Sequence, residues 1–228
     1  MLGYRLLKLD IHVHTSNSGD SCIELESIPR ILKDKGLDGV ALTEHDKLIK
    51  HHLGGAIILP GAEISTKDGH LLALGISKDI ESKMSMNETI EEVHAQGGVA
   101  VIAHPYSFPN HVNFKNLRVR PDAIEVLNAR TIFCSVSTFF AKKMAERLSV
   151  PMAGGSDSHI PDMIGDAFTI VEAKSISIEH ILEAFRAGRV RPSGNCSSLR
   201  KKLKSRAHSI AKRLSRAQSS NFGSDFSF

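Results

Sequence analysis

The chain has 228 residues, 41% hydrophobic and 24% charged side chains and a formal net charge of +4, a soluble globular composition with length for a sizeable core in one or two domains. It has no apolar run near the roughly 18–20 residues of a membrane span and no signal-peptide core at its N-terminus. Three cysteines (Cys22, Cys134, Cys196) without a C-x-x-C pair predict a reduced, cytoplasmic protein.

In chain order, residues 6–14 (LLKLDIHVH) predict a strand. Residues 27–36 (SIPRILKDKG) predict a helix capped by Ser27, with Pro29 in its first turn and Gly36 at its end. Strands follow at 38–45 (DGVALTEH), 56–65 (AIILPGAEIS) and 70–76 (HLLALGI), the last preceded by the polar turn KDGH. The stretch 86–98 (MNETIEEVHAQGG) reads as a helix with a glycine stop and leads into the apolar strand 99–105 (VAVIAHP). Residues 121–128 (PDAIEVLN) predict a strand and 136–148 (VSTFFAKKMAERL) a helix. Residues 150–159 (VPMAGGSDSH) read as a buried strand running into a glycine-rich turn. Strand 167–173 (AFTIVEA), helix 177–188 (SIEHILEAFRAG) and the short 189–194 (RVRPSG) complete the body.

Short apolar strands alternating with helices predict a parallel sheet covered by helices, either open and doubly wound or closed into a barrel. The polar residues favour the barrel. His12/His14, Glu44/His45/Asp46, Glu63, His104, Asn128 and Asp157/His159 each fall at the C-terminal end of a different predicted strand. In a barrel those ends form one mouth, whereas an open sheet would spread them along a line. His12, His14, His45, His70, His104 and His159, with Asp20, Glu63 and Asp157, make up the ligand set of zinc, manganese and iron. Nine such groups are too many for one tetrahedral ion and predict two or three divalent ions. A buried cluster of this kind without cations would be costly. His51, His52, His94, His111, His180 and His208 read as surface or hydrogen-bonded histidines.

The segments LDIHVHTSNSGD, ALTEHD, PGAEIS, IAHP and GGSDSH occur here in an order and spacing that resembles the PHP (polymerase and histidinol phosphatase) superfamily, over roughly residues 7–194. The resemblance implies a distorted (β/α)7 barrel of the TIM-barrel-like PHP type, with a di- or trinuclear metal site. It is nearest the branch of 3′,5′-nucleoside bisphosphate phosphatases and 5′-3′ exonucleases. It further implies that His12, His14, Glu63 and Asp157 hold one ion, that Glu63 bridges to a second ion bound by His104, and that Asp20, His45 and His159 hold a third. His70 would ligate a metal or contact the substrate phosphate. Where many relatives have another histidine, this chain has Asn128, a neutral oxygen donor, and the short Glu63–His104 spacing leaves no room for a lid domain. The expected reaction is in-line attack of an activated water on a phosphomonoester of a nucleotide or an oligonucleotide 5′ end. Asp157 or His159 would relay the proton to the leaving group, and Arg130 would recognise phosphate. Asp46 would orient an imidazole or cap a turn. The alternatives are a small-metabolite phosphatase of the histidinol phosphatase type and a non-catalytic subunit of a nucleic-acid-processing complex.

Residues 1–196 thus form the expected barrel domain, and 197–228 differ in kind. Residues 195–228 hold Arg200, Lys201, Lys202, Lys204, Arg206, Lys212, Arg213 and Arg216 against Asp225, a charge of +7 that leaves the other 194 residues at −3. Leu199, Leu203, Ala207, Ile210 and Leu214 recur at helical spacing, which makes a basic amphipathic helix. It would pack its stripe on the barrel, bind nucleic-acid backbone, or lie on an anionic membrane. The last dozen residues (AQSSNFGSDFSF) read as disordered.

Overall fold

Residues 3–107 and 116–222 are described here in a computed structural model, the side chains of residues 213 and 216–222 excepted. His111 therefore lies outside the described residues, as do 223–228 of the tail. The strands are β1 (Arg5–Val13), β2 (Gly39–His45), β3 (Ile57–Thr66), β4 (Gly69–Leu74), β5 (Val99–Ile102), β6 (Ala123–Asn128), β7 (Met152–Gly155), β8 (Ala167–Ala173) and β9 (Val190–Gly194). The helices are α1 (Ile28–Lys35), α2 (Met86–Ala95), α3 (Cys134–Leu148), α4 (Ile178–Arg186) and α5 (Leu199–Phe222). None of them is long and apolar enough to cross a membrane, among the described residues.

The strands form one sheet in the order β7-β6-β5-β4-β3-β2-β1-β8-β9. A bridge between Val13 and Ser158, at the ends of β1 and β7, closes the first seven strands into a distorted barrel. Asp10 braces that closure: its carboxylate accepts the amides of Ser156 (2.9 Å) and Gly165 (2.9 Å). Burial pushes the Asp10 pKa up to about 6 against these stabilising hydrogen bonds. The sheet is mixed rather than wholly parallel. β4 runs against β3 and β5, because the tight turn at Lys67–Asp68 has no room for a crossover helix, and β8 runs against β1 and β9.

Side-chain parity separates two sides of the barrel wall. Leu7, Leu9, Ala41, Leu59, Leu72, Leu74, Val99, Val101, Ala123 and Ala153 form an inner ring, joined by Ile181, Leu182 and Phe185 of α4. Their alternates face outward: Val13, Val40 and Leu42 under α1, and Ile64, Ala100, Ile102, Ile124 and Val126 under α2 and α3. The inner rows then turn polar toward one end. Leu59 is followed two and four residues on by Gly61 and Glu63, Ala41 by Thr43 and His45, Ala123 by Glu125, and Ala153 by Gly155 and Asp157.

β1 would break this rule without a bulge. Leu7 and Leu9 face inward, so unbroken alternation would send His12 and His14 out. Between Asp10 and Val13 the strand carries one residue more than its partner, since Asp10 pairs with Val40 and Val13 with Leu42. That extra residue inverts the parity, placing both histidines inside and Val13 outside. β6 uses the same device between Glu125 and Leu127, which brings Asn128 to the same side as Glu125.

Local signals hold with two exceptions. Ser85 and Glu88 cap α2 reciprocally, and Ser177 accepts the His180 amide at the start of α4. Ser27, by contrast, donates to the Glu24 carbonyl and makes no cap to α1. The cysteines are not all reduced, as Cys134 and Cys196 form a disulfide and only Cys22 is free. Folding brings the start of α3 against the segment before α5, a pairing across 62 residues that spacing alone does not announce.

Candidate metal centre

The carboxylate of Glu63, 2% exposed, sits at the middle of the barrel mouth. Its Oε1 is 2.9 Å from His70 Nδ1 and 2.9 Å from His104 Nε2. Its Oε2 is 3.0 Å from His45 Nδ1, 3.3 Å from His14 Nε2 and 3.5 Å from His12 Nε2. Asp157 Oδ1 lies 3.7 Å from His14 Nε2, 3.9 Å from His12 Nε2 and 3.5 Å from His159 Nδ1. Asp20 Oδ2 lies 3.3 Å from His159 Nε2 and 3.5 Å from His45 Nε2. All nine side chains expected from the sequence therefore meet. Two of them, His104 (φ 27°) and Asp157 (φ 53°), sit in left-handed backbone that non-glycine residues rarely adopt, a strain that persists where the surroundings enforce it.

Neighbouring groups fix which nitrogen of each key imidazole faces inward. Glu125 Oε1 is 3.0 Å from His12 Nδ1, and a carboxylate only accepts, so Nδ1 carries the proton and Nε2 offers a lone pair. Ser18 donates its hydroxyl proton to Glu44 and accepts from His14 Nδ1 at 3.1 Å, with the same result. His159 Nδ1 donates to the Asp157 carbonyl at 3.1 Å. The two inward nitrogens of His12 and His14 are 3.1 Å apart. Two lone pairs at that distance, beside a carboxylate, fit a cation between them. Among the described residues, buried His45 Nε2, His104 Nδ1 and His159 Nε2 have no hydrogen bond, which is again what a ligand nitrogen requires.

Four groups of three donors have their ligand atoms within 4.8 Å of one another: His14/His45/His159, His12/His14/Asp157, His12/His104/Glu125 and Glu63/His70/His104. The residues present thus suit hard-to-borderline divalent ions held by imidazole and carboxylate.

Without cations the charges settle among themselves. Burial lowers His12, but the carboxylates of Glu125, Asp157 and Glu63 outweigh it and hold it well above its usual pKa. Burial and the neighbouring His159 and His45 hold His14 well below. Burial works against the charged form of His45, yet the adjoining carboxylates of Asp20 and Glu63 raise it to about 10. His70 is raised chiefly by the Glu63 charge. Burial would raise Glu63, Asp20 and Asp157, but the surrounding imidazoles hold all three below the usual carboxylate range.

Two assignments change and one residue joins the site. Asn128 is not an oxygen donor to the site, because its Oδ1 accepts from the amides of Arg130 and Thr131 and from the Thr131 hydroxyl. Its amide group instead donates to Glu125 (3.0 Å) and Asp157 (3.3 Å), pinning both carboxylates. Asp46 accepts the amide of Ser65 on β3 at 2.6 Å and so ties the end of β2 to its neighbouring strand, acting as neither an imidazole anchor nor a turn cap. Glu125, 1% exposed, joins the site unannounced, its only sequence signal an acid inside the apolar strand AIEVLN. Arg130 stands at the rim, with Nη1 3.6 Å from Asp157 Oδ1.

The tail lies across this mouth. Lys202 Nζ donates to the Thr131 carbonyl (2.6 Å), Ser209 to that of Asp20 (2.8 Å) and Lys212 to that of Ser21 (2.7 Å). Lys201 pairs with Asp166 at 2.7 Å and Lys204 with Asp162 at 2.9 Å. The apolar stripe does not pack on the barrel: Leu199, Leu203, Ile210 and Leu214 are 60–65% exposed. The helix runs to Phe222, so residues 217–222 are helical rather than disordered.

Comparison with known proteins agrees with this fold. The family model described as PHP-associated matches residues 138–190. The uncharacterised protein MJ1587 of Methanocaldococcus jannaschii is 32% identical over 142 residues, 54% of this chain and 82% of that protein. Among solved structures, a two-domain protein from Bacteroides vulgatus containing a predicted PHP-like metal-dependent phosphoesterase matches with a TM-score of 0.64 at 22% identity, covering 85% of this chain and 66% of that one. Endonuclease Q in complex with a 27-mer duplex carrying an abasic lesion at its active site matches with a TM-score of 0.60 at 18% identity, covering 83% of this chain. This chain spans 60% of the endonuclease's length. The chain is a relative of MJ1587 that shares the barrel fold of its structural neighbours, and it belongs to the PHP superfamily.

Proposed function

We propose that the chain is a metal-dependent phosphoesterase hydrolysing phosphomonoesters of nucleotides or of oligonucleotide 5′ ends, with two or three ions of zinc, manganese or iron. One observation carries this reading: five imidazole nitrogens surround the Glu63 carboxylate at 2.9–3.5 Å. His12, His14, Glu63 and Asp157 would hold one ion, Glu63, His70 and His104 a second, and Asp20, His45 and His159 a third. Bound there, such ions acidify water and neutralise charge building on phosphoryl oxygens.

The side chains divide the remaining work. His159 is fully buried with its Nδ1 proton committed to the Asp157 carbonyl, which suits a fixed ligand better than a proton carrier. The Asp157 side chain is 11% exposed and opens toward Arg130, so its carboxylate is the better group to take the proton of the attacking water and pass it to the departing alkoxide. The Arg130 guanidinium is positioned to accept a phosphate fork-to-fork. The oligonucleotide part of the reading is supported by the barrel shared with endonuclease Q. A small-metabolite phosphatase is the competing reading.

To test both, the chain is loaded with zinc, manganese or iron and offered nucleoside bisphosphates, short 5′-phosphorylated RNA and histidinol phosphate. Turnover of the first two and a loss of metal and rate by orders of magnitude in Glu63→Gln are expected. Full activity of Glu63→Gln would end the proposal, and preference for histidinol phosphate would favour the competitor.

A further inference from the structure

The side of the mouth near Asp157 is roofed by α5, and the roof carries a cation that has no partner among the described residues. Lys202 and Ser209 are both fastened to the rim, by the Thr131 and Asp20 carbonyls. Arg206 is four residues after one and three before the other, so all three lie on one face of the helix. Its side chain is half-buried, and among the described residues it makes no hydrogen bond or ion pair. The charges of Arg130 and Asp157 both act on it, and burial together with Arg130 lowers its pKa.

Arg130 reaches the same place from the barrel. Its Nη2 is 3.4 Å from Ser209 Oγ, its Nη1 is 3.6 Å from Asp157 Oδ1, and its Nε is buried without an acceptor. Arg130 and the helix face that carries Arg206 thus flank a single carboxylate. That carboxylate is itself among the expected metal ligands, so with cations in place it cannot neutralise either arginine. Like charges gathered with donors unsatisfied call for an anion.

Resting on the phosphoesterase reading, we propose that α5 completes the substrate site: Arg206 and Arg130 form a two-guanidinium clamp for a phosphate group beside Asp157. The tail then recognises substrate at the mouth itself, rather than serving as a detached basic arm. The recognition is expected for any phosphate ester, small or polymeric, because Arg206 acts at the phosphate and not along a nucleic-acid track.

The test is calorimetric titration of inorganic phosphate into the metal-loaded full chain. Arg206→Gln is expected to weaken binding about tenfold or more, as loss of a charge-assisted contact does, and Arg206→Lys less so because charge is kept without the fork. Arg200→Gln removes the same charge from an exposed position at the start of the helix and is expected to bind as the unmodified chain. Arg130→Gln should weaken phosphate as well, and the double variant should lose less than the product of the two factors because both arginines hold one anion. Unchanged phosphate affinity in Arg206→Gln overturns the clamp, as does an equal loss in Arg200→Gln. The two readings fail separately. Phosphate binding that depends on Arg206, in a chain that hydrolyses no phosphoester, would sink the proposed reaction and keep the clamp. Turnover with a KM indifferent to Arg206→Gln would do the reverse.

Discussion

Replacement of Glu125 by glutamine tests how the site keeps its nitrogens facing inward. The side chain is buried and accepts three hydrogen bonds: His12 Nδ1 on Oε1 at 3.0 Å, and the His104 amide at 2.9 Å and Asn128 Nδ2 at 3.0 Å on Oε2. Glutamine has the same shape but only one acceptor end. Keeping that end on the two donors turns its NH2 toward His12, which must then give up the Nδ1 proton and carry it on Nε2. Nε2 is the atom 3.1 Å from His14 Nε2 and 3.5 Å from Glu63, so the lone pair meant for a cation is lost. A charged hydrogen bond of this kind is worth about 1.5–3 kcal/mol, and loss of a partner behind a ligating imidazole weakens metal binding about 10–100-fold. Competition between the protein and a chelating dye measures that affinity, and phosphoesterase rate at saturating metal measures the consequence. An affinity within twofold of the unmodified protein would show that Glu125 does not set the His12 tautomer.

Gly155→Ala places a methyl group 2.6 Å from both Glu125 Oε1 and His12 Cβ, so overpacking of about 1–3 kcal/mol and a lower melting temperature are expected; an unchanged melt would mean that this wall is soft. Metal-free protein should be most stable in mild acid. His45, at about 10 when folded against 6.5 unfolded, stabilises fully below pH 6.5 and loses that contribution as pH climbs toward 10. Asp20 and Asp157 are depressed from 3.8, so theirs is lost as pH falls below that value. Thermal melts in chelator from pH 4 to 9 check this, and a melting temperature rising steadily from pH 6 to 9 contradicts it. Reducing the Cys134–Cys196 disulfide opens a loop of 62 residues and should cost about 4 kcal/mol of unfolding free energy, read from denaturation with and without reductant; coincident curves would refute it.

How much of this was legible in the sequence follows from what each residue's signal depends on. The pairs HVH and DSH announce themselves, because imidazoles and carboxylates at the ends of apolar strands have no cheap alternative to a shared site. Their placement, however, depends on a bulge. His12 and His14 reach the interior only because one extra residue between Asp10 and Val13 inverts the alternation set by Leu7 and Leu9, and nothing in LLKLDIHVH marks that residue. Glu125 was hidden for the opposite reason: it keeps the inward parity of Ala123, but a lone acid in a strand has no spacing partner to reveal it. Asn128 was legible in position and misread in role, since an amide's direction is decided by donors such as Thr131 that arrive from the following turn.

Of the three readings of the tail, the one that packs its apolar stripe on the barrel fails because it trusts periodicity over charge. An apolar stripe at helical spacing ordinarily marks the buried face, yet α5 turns its lysines and serines inward and its leucines out. The rim explains the inversion. It offers the carbonyls of Asp20, Ser21 and Thr131 and the carboxylates of Asp162 and Asp166, acceptors that aliphatic side chains would leave unsatisfied at about 1–3 kcal/mol for each buried one. A helix carrying most of the chain's surplus positive charge, set on a body of net negative charge, satisfies them and leaves Arg206 without a partner at the site. Because Lys201 and Lys204 pair with Asp166 and Asp162 partly in solvent, salt should loosen those attachments before it touches Lys202 and Ser209, which are buried. The face of the helix that salt frees last is therefore the one that bears on the phosphate clamp.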